Sequence, residues 1–278
     1  LPTATLASTP VVMTIHGAVT PEVKRYFEGL NNPHNPYFVT ISNAQSLPIP
    51  NLNYAGNIYH GLEMQHYPFS RDNDGYLLFV GRIHPEKGIE HAIEVAEYLN
   101  LPLIIAAKLD IPQKSYFKEK IEPHLSDKIQ YIGEVDEERR NRLMSNALCL
   151  LHPVTWREPF GLVLIEAMAC GCPVVAFRRG SISEIVQHEK TGYVVEDVPE
   201  MIQYINQIDK IDRRYCRKYV LSNFNVDLMT NDYESIYKKV IDMKAAQDTL
   251  PQKPHSPFKK NIKNVSNGKS GDHKIKNI

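Results

Sequence analysis

Two glutamates, Glu158 and Glu166, lie eight residues apart, separated by a Pro-Phe-Gly turn and an apolar pattern of helical period. If a helix begins near Phe160 or Gly161, its first backbone N–H groups lack intrahelical partners and lie at the positive end of the helix dipole. Such a helix start binds phosphate. At about 1.5 Å per residue, eight residues cover about 12 Å, which suits two hydroxyl-bearing rings on either side of a diphosphate. The alternative is an ordinary amphipathic helix with two solvated glutamates.

Composition describes a globular chain and excludes several classes of protein. The sequence has 278 residues, of which 42% are hydrophobic and 23% charged, enough for one large or two modest domains. Lys and Arg number 32, as do Asp and Glu, so the net charge gives no case for nucleic acid. No apolar run reaches membrane-spanning length. The four cysteines lack zinc or disulfide spacing, which favours a reducing cytoplasm.

Residues 1–75 predict an incomplete parallel α/β unit. Three strands and a helix are too few to close a core on both faces, so this segment is expected to be the back half of a domain. His16 follows the first strand, where open sheets place ligands, although a hydrogen-bonded loop histidine is an equal alternative. The predicted elements are strands at 10–15, 37–42 and 56–60 and a helix at 20–30.

A polar stretch, residues 62–75, is the expected linker between domains. Its Asp72-Asn73-Asp74 run has the composition of a metal motif. The run precedes a strand instead of following one, so a solvated turn is the favoured interpretation.

Residues 76–225 contain six apolar strands alternating with helices, which predicts a complete, doubly wound Rossmann-like domain. Every polar candidate follows the end of a strand, and in a parallel sheet those ends face one crevice. Arg and Lys in the first loop suit phosphate. The candidates are Gly81, Arg82 and Lys87 after the first strand, Gly133, Glu134 and Val135 after the third, Glu158 and Glu166 after the fourth, and Gly180-Ser181 after the fifth.

Several motifs in this order resemble the carboxyl half of a retaining GT-B glycosyltransferase of family 4. The resemblance covers roughly residues 11–241 and is densest from 76 to 195. It implies an α/β GT-B fold of two Rossmann-like domains, the first of them incomplete. The motifs are Gly81-Arg82 with Glu86-Lys87-Gly88, Glu158-Pro159-Phe160-Gly161 with Glu166-Ala167, Gly171-Cys172-Pro173-Val174-Val175-Ala176, and Glu184-Ile185-Val186 with Thr191-Gly192.

The resemblance implies a role for each site residue. His16, Arg82, Lys87 and Glu158 would form the catalytic set. His16 would face the reacting sugar, Glu158 would bind donor-sugar hydroxyls, and the two cations would stabilise the diphosphate. The donor-binding set would be Gly81, Gly133, Glu134, Val135, Phe160, Gly161, Leu162 and Glu166, with Glu166 on the ribose and Gly133 to Val135 at the base.

The implied reaction moves a sugar from a UDP- or GDP-linked donor to an unidentified hydroxyl acceptor on a glycan, lipid or small molecule. The family retains anomeric configuration and requires no metal or other cofactor. A non-catalytic nucleotide-sugar-binding module is the main alternative, because the amino-terminal domain is expected to be truncated. A nucleotide-sugar epimerase shares the fold, but the Arg82/Lys87 loop paired with Glu158 and Glu166 argues against it.

The predicted organisation has four parts. Residues 1–75 are a partial amino-terminal domain with linker, 76–225 the nucleotide-sugar-binding domain, and 226–245 a helix crossing back onto the amino-terminal domain. Residues 246–278 are expected to be a disordered basic tail, with contact to acidic lipid or nucleic acid as the alternative to a solvated tail. The expected location is the cytoplasm, with peripheral contact at the inner membrane face left open.

Overall fold

Two parallel β-sheets organise the computed structural model, which describes residues 2–30 and 35–249. The smaller sheet has the order β1-β2-β3 and the larger the order β6-β5-β4-β7-β8-β9. The strands are β1 Val12–Ile15, β2 Tyr37–Thr40, β3 Tyr54–Asn57, β4 Leu77–Arg82, β5 Leu103–Lys108, β6 Ile129–Gly133, β7 Cys149–His152, β8 Val174–Phe177 and β9 Gly192–Val195.

Helices connect successive strands, as parallel pairing requires. Within the described residues the α-helices are α1 Pro21–Leu30, α2 Asn43–Ser46, α3 Ile89–Leu99, α4 Lys114–Lys120, α5 Glu137–Asn146, α6 Leu162–Ala169, α7 Ile182–Ile185, α8 Val198–Ile205, α9 Arg213–Asn223 and α10 Val226–Thr249.

The larger sheet holds the main core. All four residues in each of β7, β8 and β9 are buried, because helices cover both faces of the sheet. Leu78, Ile105 and Leu150 belong to this core and are fully buried. The predicted α/β class and the six-stranded doubly wound unit are confirmed.

Both faces of the smaller sheet are packed, although three strands alone were expected to leave a core open. Ile15, Leu30 and Phe38 form a cluster on the α1 side. On the other face Ile236 and Val240 of α10 pack against the sheet. All of α10 follows residue 225, so a helix distant in sequence completes this unit.

Several predicted boundaries were wrong. The first strand was predicted at 10–15 but lies at Val12–Ile15, and the second was predicted at 37–42 but lies at Tyr37–Thr40. The third strand was predicted at 56–60 but lies at Tyr54–Asn57. By contrast, the helix expected to begin near Phe160 or Gly161 does begin there, with Gly161 as its N-cap in the left-handed region (φ 83°) and Leu162 as its first residue. Disorder was predicted from residue 246, yet α10 continues to Thr249. The rest of the predicted tail lies outside the described residues.

The predicted linker contacts the larger unit along its length. Leu62 bridges Asn225, and the guanidinium of Arg213 donates to the Ser70 carbonyl at 3.1 Å. The Asp72-Asn73-Asp74 run is a turn in which Asn73 Oδ1 accepts from Gly75 N at 3.0 Å. Among the helices of residues 2–30 and 35–249, none combines the length and apolar character needed to cross a bilayer.

Candidate functional site

A cleft of about 370 Å³ lies where the carboxyl ends of strands from both sheets meet. Open α/β sheets bind ligands at this edge. The amino-terminal segment and the larger unit both contribute to its walls. The lining comprises His16, Gly17, Ile41, His60, Val80, Gly81, Arg82, Lys87, Arg140, His152, Trp156, Glu158, Pro159, Phe160, Gly161, Leu162, Val163 and Glu166.

Glu158 is the most strongly held acid in the cleft. Its Oε2 accepts from Lys87 Nζ at 3.0 Å and from Trp156 Nε1 at 3.0 Å, and His152 Nε2 lies 3.5 Å away. Burial by itself raises the pKa of this carboxyl, but the nearby charges of His152 and Lys87 and the hydrogen bond from Lys87 lower it to about 2. Glu158 is therefore a buried carboxylate at neutral pH.

The two cationic side chains at and after the end of β4 differ in exposure and in ion pairing. Lys87 is mostly buried, and its ammonium also lies 4.7 Å from the Trp156 ring centroid, a cation–π contact. Arg82 is exposed at the cleft rim, and within the described part of the chain it makes no ion pair. A ligand anion could therefore recruit Arg82 directly, whereas it would have to share Lys87 with Glu158.

Two tight backbone approaches fix the loops that carry these groups. A Cβ at Gly180 would lie 2.2 Å from the Glu158 carbonyl oxygen, and a Cβ at Gly88 would lie 1.9 Å from the Pro153 carbonyl oxygen. Ser181 Oγ donates to the Glu158 and Phe160 carbonyls at 3.1 and 3.0 Å. The Glu158 loop is thus anchored by the residues that follow β8.

The start of α6 presents free backbone N–H groups of the kind that bind phosphate. Gly161, Leu162 and Val163 line the cleft at the N-terminus of this helix, where the first N–H groups have no intrahelical partners. Glu166 lies four residues into α6, about 6 Å along its axis. The 12 Å estimate between the glutamates therefore does not apply, because Glu158 precedes the helix.

Glu166 is paired across the cleft wall with Arg140 of α5, whose Nη2 donates to its Oε1 at 2.9 Å. Burial raises the pKa of Glu166, and the Arg140 charge opposes that rise. The Nε atom of Arg140 is buried and has no hydrogen-bond partner in the described structure. The pair places a partly accessible carboxylate one turn beyond the start of α6.

Two histidines from the smaller unit form the opposite wall. The rings of His16 and His60 stack, with centroids 5.4 Å apart and planes at 15°. His60 also meets Phe160 edge-on at 4.9 Å. Burial, together with the charge of His16, lowers the pKa of His60. His16 thus lines the cleft beside His60, and His60 contacts the Phe160 loop (residues 153–161, which also carry Glu158).

The structure brings most of the predicted residues together in the cleft and leaves five outside its lining. Gly133 ends β6, the edge strand two positions from β4, and Glu134 and Val135 follow it; none of the three lines the cleft. Glu134 is exposed and lies 3.9 Å from Lys108 Nζ. Gly180 and Ser181 act behind the cleft through the Glu158 loop.

Four lining residues that carry a polar or charged group, namely His60, His152, Trp156 and Arg140, received no role from the sequence. His60-Gly61 repeats the His16-Gly17 pattern at a strand end, and His152 ends β7, so strand position could have found both. Trp156 stands two residues before Glu158. Arg140 carries no signal of its own, because its pairing with Glu166 depends on the packing of α5 against α6.

Comparison with known proteins identifies the class. The model of the family described as glycosyl transferases group 1 matches residues 65–219, more than half of the chain. This chain belongs to that family.

Among curated relatives, an uncharacterized glycosyltransferase of Methanocaldococcus jannaschii is 29% identical over 181 residues, covering 62% of this chain and 45% of that protein. The N-acetyl-alpha-D-glucosaminyl L-malate synthase of Bacillus anthracis is 33% identical over 126 residues, covering 42% of this chain and 32% of that protein. The chain thus spans less than half the length of each.

Solved structures show the same architecture. Anabaena HepE, in a crystal structure with UDP and glucose, superposes with a TM-score of 0.72 at 22% identity, covering 83% of this chain and 72% of that one. At this identity the likeness establishes the fold alone. The fold is the α/β GT-B arrangement of glycosyltransferases.

Proposed function

We propose that this chain transfers a sugar from a nucleoside diphosphate donor to a hydroxyl acceptor, with retention of anomeric configuration and without a metal. One observation carries the proposal: the buried Lys87–Glu158 pair lies in one cleft with the start of α6 and the exposed Arg82. Cations and helix N–H groups bind phosphate, and a carboxylate binds sugar hydroxyls. The UDP and glucose in the HepE crystal supply the ligand class.

In this mechanism the negative charge that develops on the departing diphosphate is stabilised by Arg82, Lys87 and the first N–H groups of α6. Preorganised charge of this kind is commonly the largest contribution to catalysis. Arg82 and Lys87 would supply the positive charge that a metal ion supplies in metal-dependent enzymes. Same-face attack, assisted by the departing phosphate, would then give retention.

Glu158 and Glu166 have different tasks. Because the pKa of Glu158 is held at about 2, this group accepts hydrogen bonds at neutral pH and does not act as a general acid. Its proposed partners are the hydroxyls of the donor sugar. Glu166, one turn along α6, would accept hydrogen bonds from the ribose hydroxyls. The acceptor would enter beside His16.

A donor-binding module without transferase activity is the second candidate. It is favoured by the small share of the cleft that the three-stranded unit provides, namely His16, Gly17, Ile41 and His60. The donor contacts proposed above lie in the larger unit, so binding could occur without acceptor placement.

The test uses Trp156, the sole tryptophan of the sequence, which lies in the cleft and reports binding by its fluorescence. We expect quenching by a UDP- or GDP-sugar, together with slow donor hydrolysis. Glu166→Gln should weaken donor binding at least tenfold, while Glu119→Gln, exposed on α4, should leave it unchanged.

Lys87→Met should lower turnover by roughly 10²- to 10³-fold, the cost of removing one transition-state donor. Binding without turnover in the unmodified chain would support the donor-binding module. If no nucleotide sugar alters Trp156 fluorescence or is hydrolysed, both candidates are overturned.

A further inference from the structure

Glu184 belongs to the larger unit, yet its carboxylate is bound by the smaller one. It lies in α7, and its Oε1 accepts from Ala44 N at 2.7 Å. Its Oε2 accepts from Asn43 N at 2.8 Å, Asn43 Nδ2 at 3.1 Å and Tyr59 Oη at 2.9 Å. A carboxylate has about four acceptor positions, two on each oxygen, and four donors of the smaller unit converge on this one.

One path leads from this carboxylate to His16. The backbone donors of Asn43 and Ala44 begin α2, and Gln45 of the same helix is buried. Gln45 Nε2 donates to the Gly17 carbonyl at 2.8 Å, and its Oε1 accepts from Ile41 N at 3.0 Å. Because Gly17 directly follows His16, the position of α2 determines where His16 enters the cleft.

A second path leads to His60. Tyr59, whose hydroxyl binds Glu184, precedes His60 and also packs near Phe160, with ring centroids 6.0 Å apart. Burial and the carboxylate of Glu184 raise the pKa of Tyr59 to about 12, so the hydroxyl keeps its proton at neutral pH. The two paths converge on the stacked His16–His60 pair.

A separate contact keeps the units together without Glu184. Ser42 Oγ donates to the Pro159 carbonyl at 2.6 Å, which ties α2 directly to the Glu158 loop. The linker bridge between Leu62 and Asn225 is a further tie. Loss of Glu184 should therefore move the histidine wall relative to the Phe160 loop without separating the units.

We propose that Glu184 is a positioning residue that holds His16 and His60 in register with the Phe160 loop. It does not touch the cleft and acts through α2 and Tyr59. The catalytic consequence rests on the proposed function, whereas the placement of the histidines does not. Glu184 would thus affect the rate of sugar transfer without changing the residues that bind the donor.

The experiment compares Glu184→Ala, Glu184→Gln and Ser183→Ala with the unmodified chain. Ser183 lies beside Glu184 in α7, and its hydroxyl accepts from exposed Arg178 at 3.1 Å, so it serves as a matched control. Imidazole NMR signals, assigned with His16→Gln and His60→Gln, report the stacked pair. Trp156 fluorescence reports donor affinity, and donor hydrolysis reports turnover.

We expect Glu184→Ala to shift both imidazole signals and to lower kcat at least tenfold, with donor affinity changed less than twofold. Glu184→Gln should give a smaller effect, because one oxygen still accepts. Ser183→Ala should match the unmodified chain. Since Gln45 lies on the same path, Gln45→Leu should add little to Glu184→Ala.

Unchanged imidazole signals in Glu184→Ala would overturn the proposal, whatever the activity. The proposal would also be overturned if Glu184→Ala lowered donor affinity and turnover equally and if the effect of Gln45→Leu added fully to that of Glu184→Ala. Those results would show general destabilisation. If the unmodified chain neither binds nor hydrolyses a donor, the proposed function fails, but the imidazole signals still decide the positioning role.

Discussion

At the scale of single residues, the ionisation of Glu158 depends on groups from three separate segments. Lys87 follows β4, His152 ends β7, and Trp156 lies in the same loop as Glu158. Desolvation opposes the charged form, so the carboxylate persists because the charges of Lys87 and His152 are in place beside it. The acid is therefore a sensitive probe of whether the cleft is correctly assembled.

The pH dependence of unfolding should reveal this arrangement. A carboxyl whose pKa falls from 4.5 unfolded to about 2 folded stabilises the protein above the unfolded pKa, and the contribution is lost between these values. The gap in unfolding free energy between the unmodified chain and Glu158→Gln should be constant above about pH 5. Towards pH 2 it should change by on the order of 3 kcal/mol, to the disadvantage of the unmodified chain.

Urea titrations at successive pH values would measure that gap. Lys87→Met should reduce its pH dependence, because one of the charges that lowers the pKa is removed. A gap that stays constant down to pH 3 would contradict the assigned environment of Glu158.

The same residues show which parts of the site can be predicted from the sequence. Glu158, Glu166 and Lys87 could be predicted because each stands in a local pattern of strand end, loop and helix. Arg140 could not, since its partner is 26 positions away and the pair forms only through packing of two helices. Local spacing predicts the chemistry of a segment, whereas pairing across elements needs the fold.

At the scale of elements, the Glu158 loop depends on a close backbone approach after β8. Gly180 has φ 61°, and a Cβ there would lie 2.2 Å from the Glu158 carbonyl oxygen and 2.6 Å from its nitrogen. The loop can therefore keep its present path only with glycine at this position. Ser181 then holds the carbonyls of Glu158 and Phe160.

Gly180→Ala should destabilise the protein by about 2–4 kcal/mol and weaken donor binding, because the left-handed strain and the clash add. Gly75→Ala is the matched control: its φ is 77°, but a Cβ there meets nothing within 4 Å. It should cost only about 1 kcal/mol and leave the cleft intact. Chemical denaturation with Trp156 emission measures both effects. Equal losses in the two variants would show that strain alone matters at Gly180.

Element boundaries were less predictable than element types. The third strand was placed two residues late because Ile58 and Tyr59 continue its apolar run. Ile58 N still donates to the Thr40 carbonyl at 2.9 Å, but Tyr59 turns towards Phe160 and Phe224. An apolar run reports burial, and here part of that burial is against a neighbouring unit instead of within a strand.

At the scale of the whole molecule, α10 joins the beginning of the described chain to its end. Tyr233 Oη lies 3.0 Å from Thr14 Oγ1, and Lys239 Nζ donates to the Ala55 carbonyl at 2.9 Å. A Cβ at Gly56 would lie 2.8 Å from Ile236 Cδ1, so helix and strand are in close contact. The smaller sheet owes one of its two packed faces to this helix.

Ile236→Ala should therefore destabilise the smaller unit selectively. Ile236 is buried against β3, and truncation of a buried Ile costs about 2–5 kcal/mol, with the lower end expected near the surface. Ile241→Ala is the matched control, since this residue is 59% exposed on the same helix and should change stability by less than about 0.5 kcal/mol.

Hydrogen exchange distinguishes a local from a global effect. In Ile236→Ala, amides of β1, β2 and β3 should exchange faster while those of β4 to β9 keep their protection, because the main core does not include Ile236. Donor binding, whose proposed contacts lie in the larger unit, should persist while turnover falls with the displaced His16 wall. Faster exchange in both sheets would instead mean that the two units unfold together, and donor binding and turnover should then be lost in parallel.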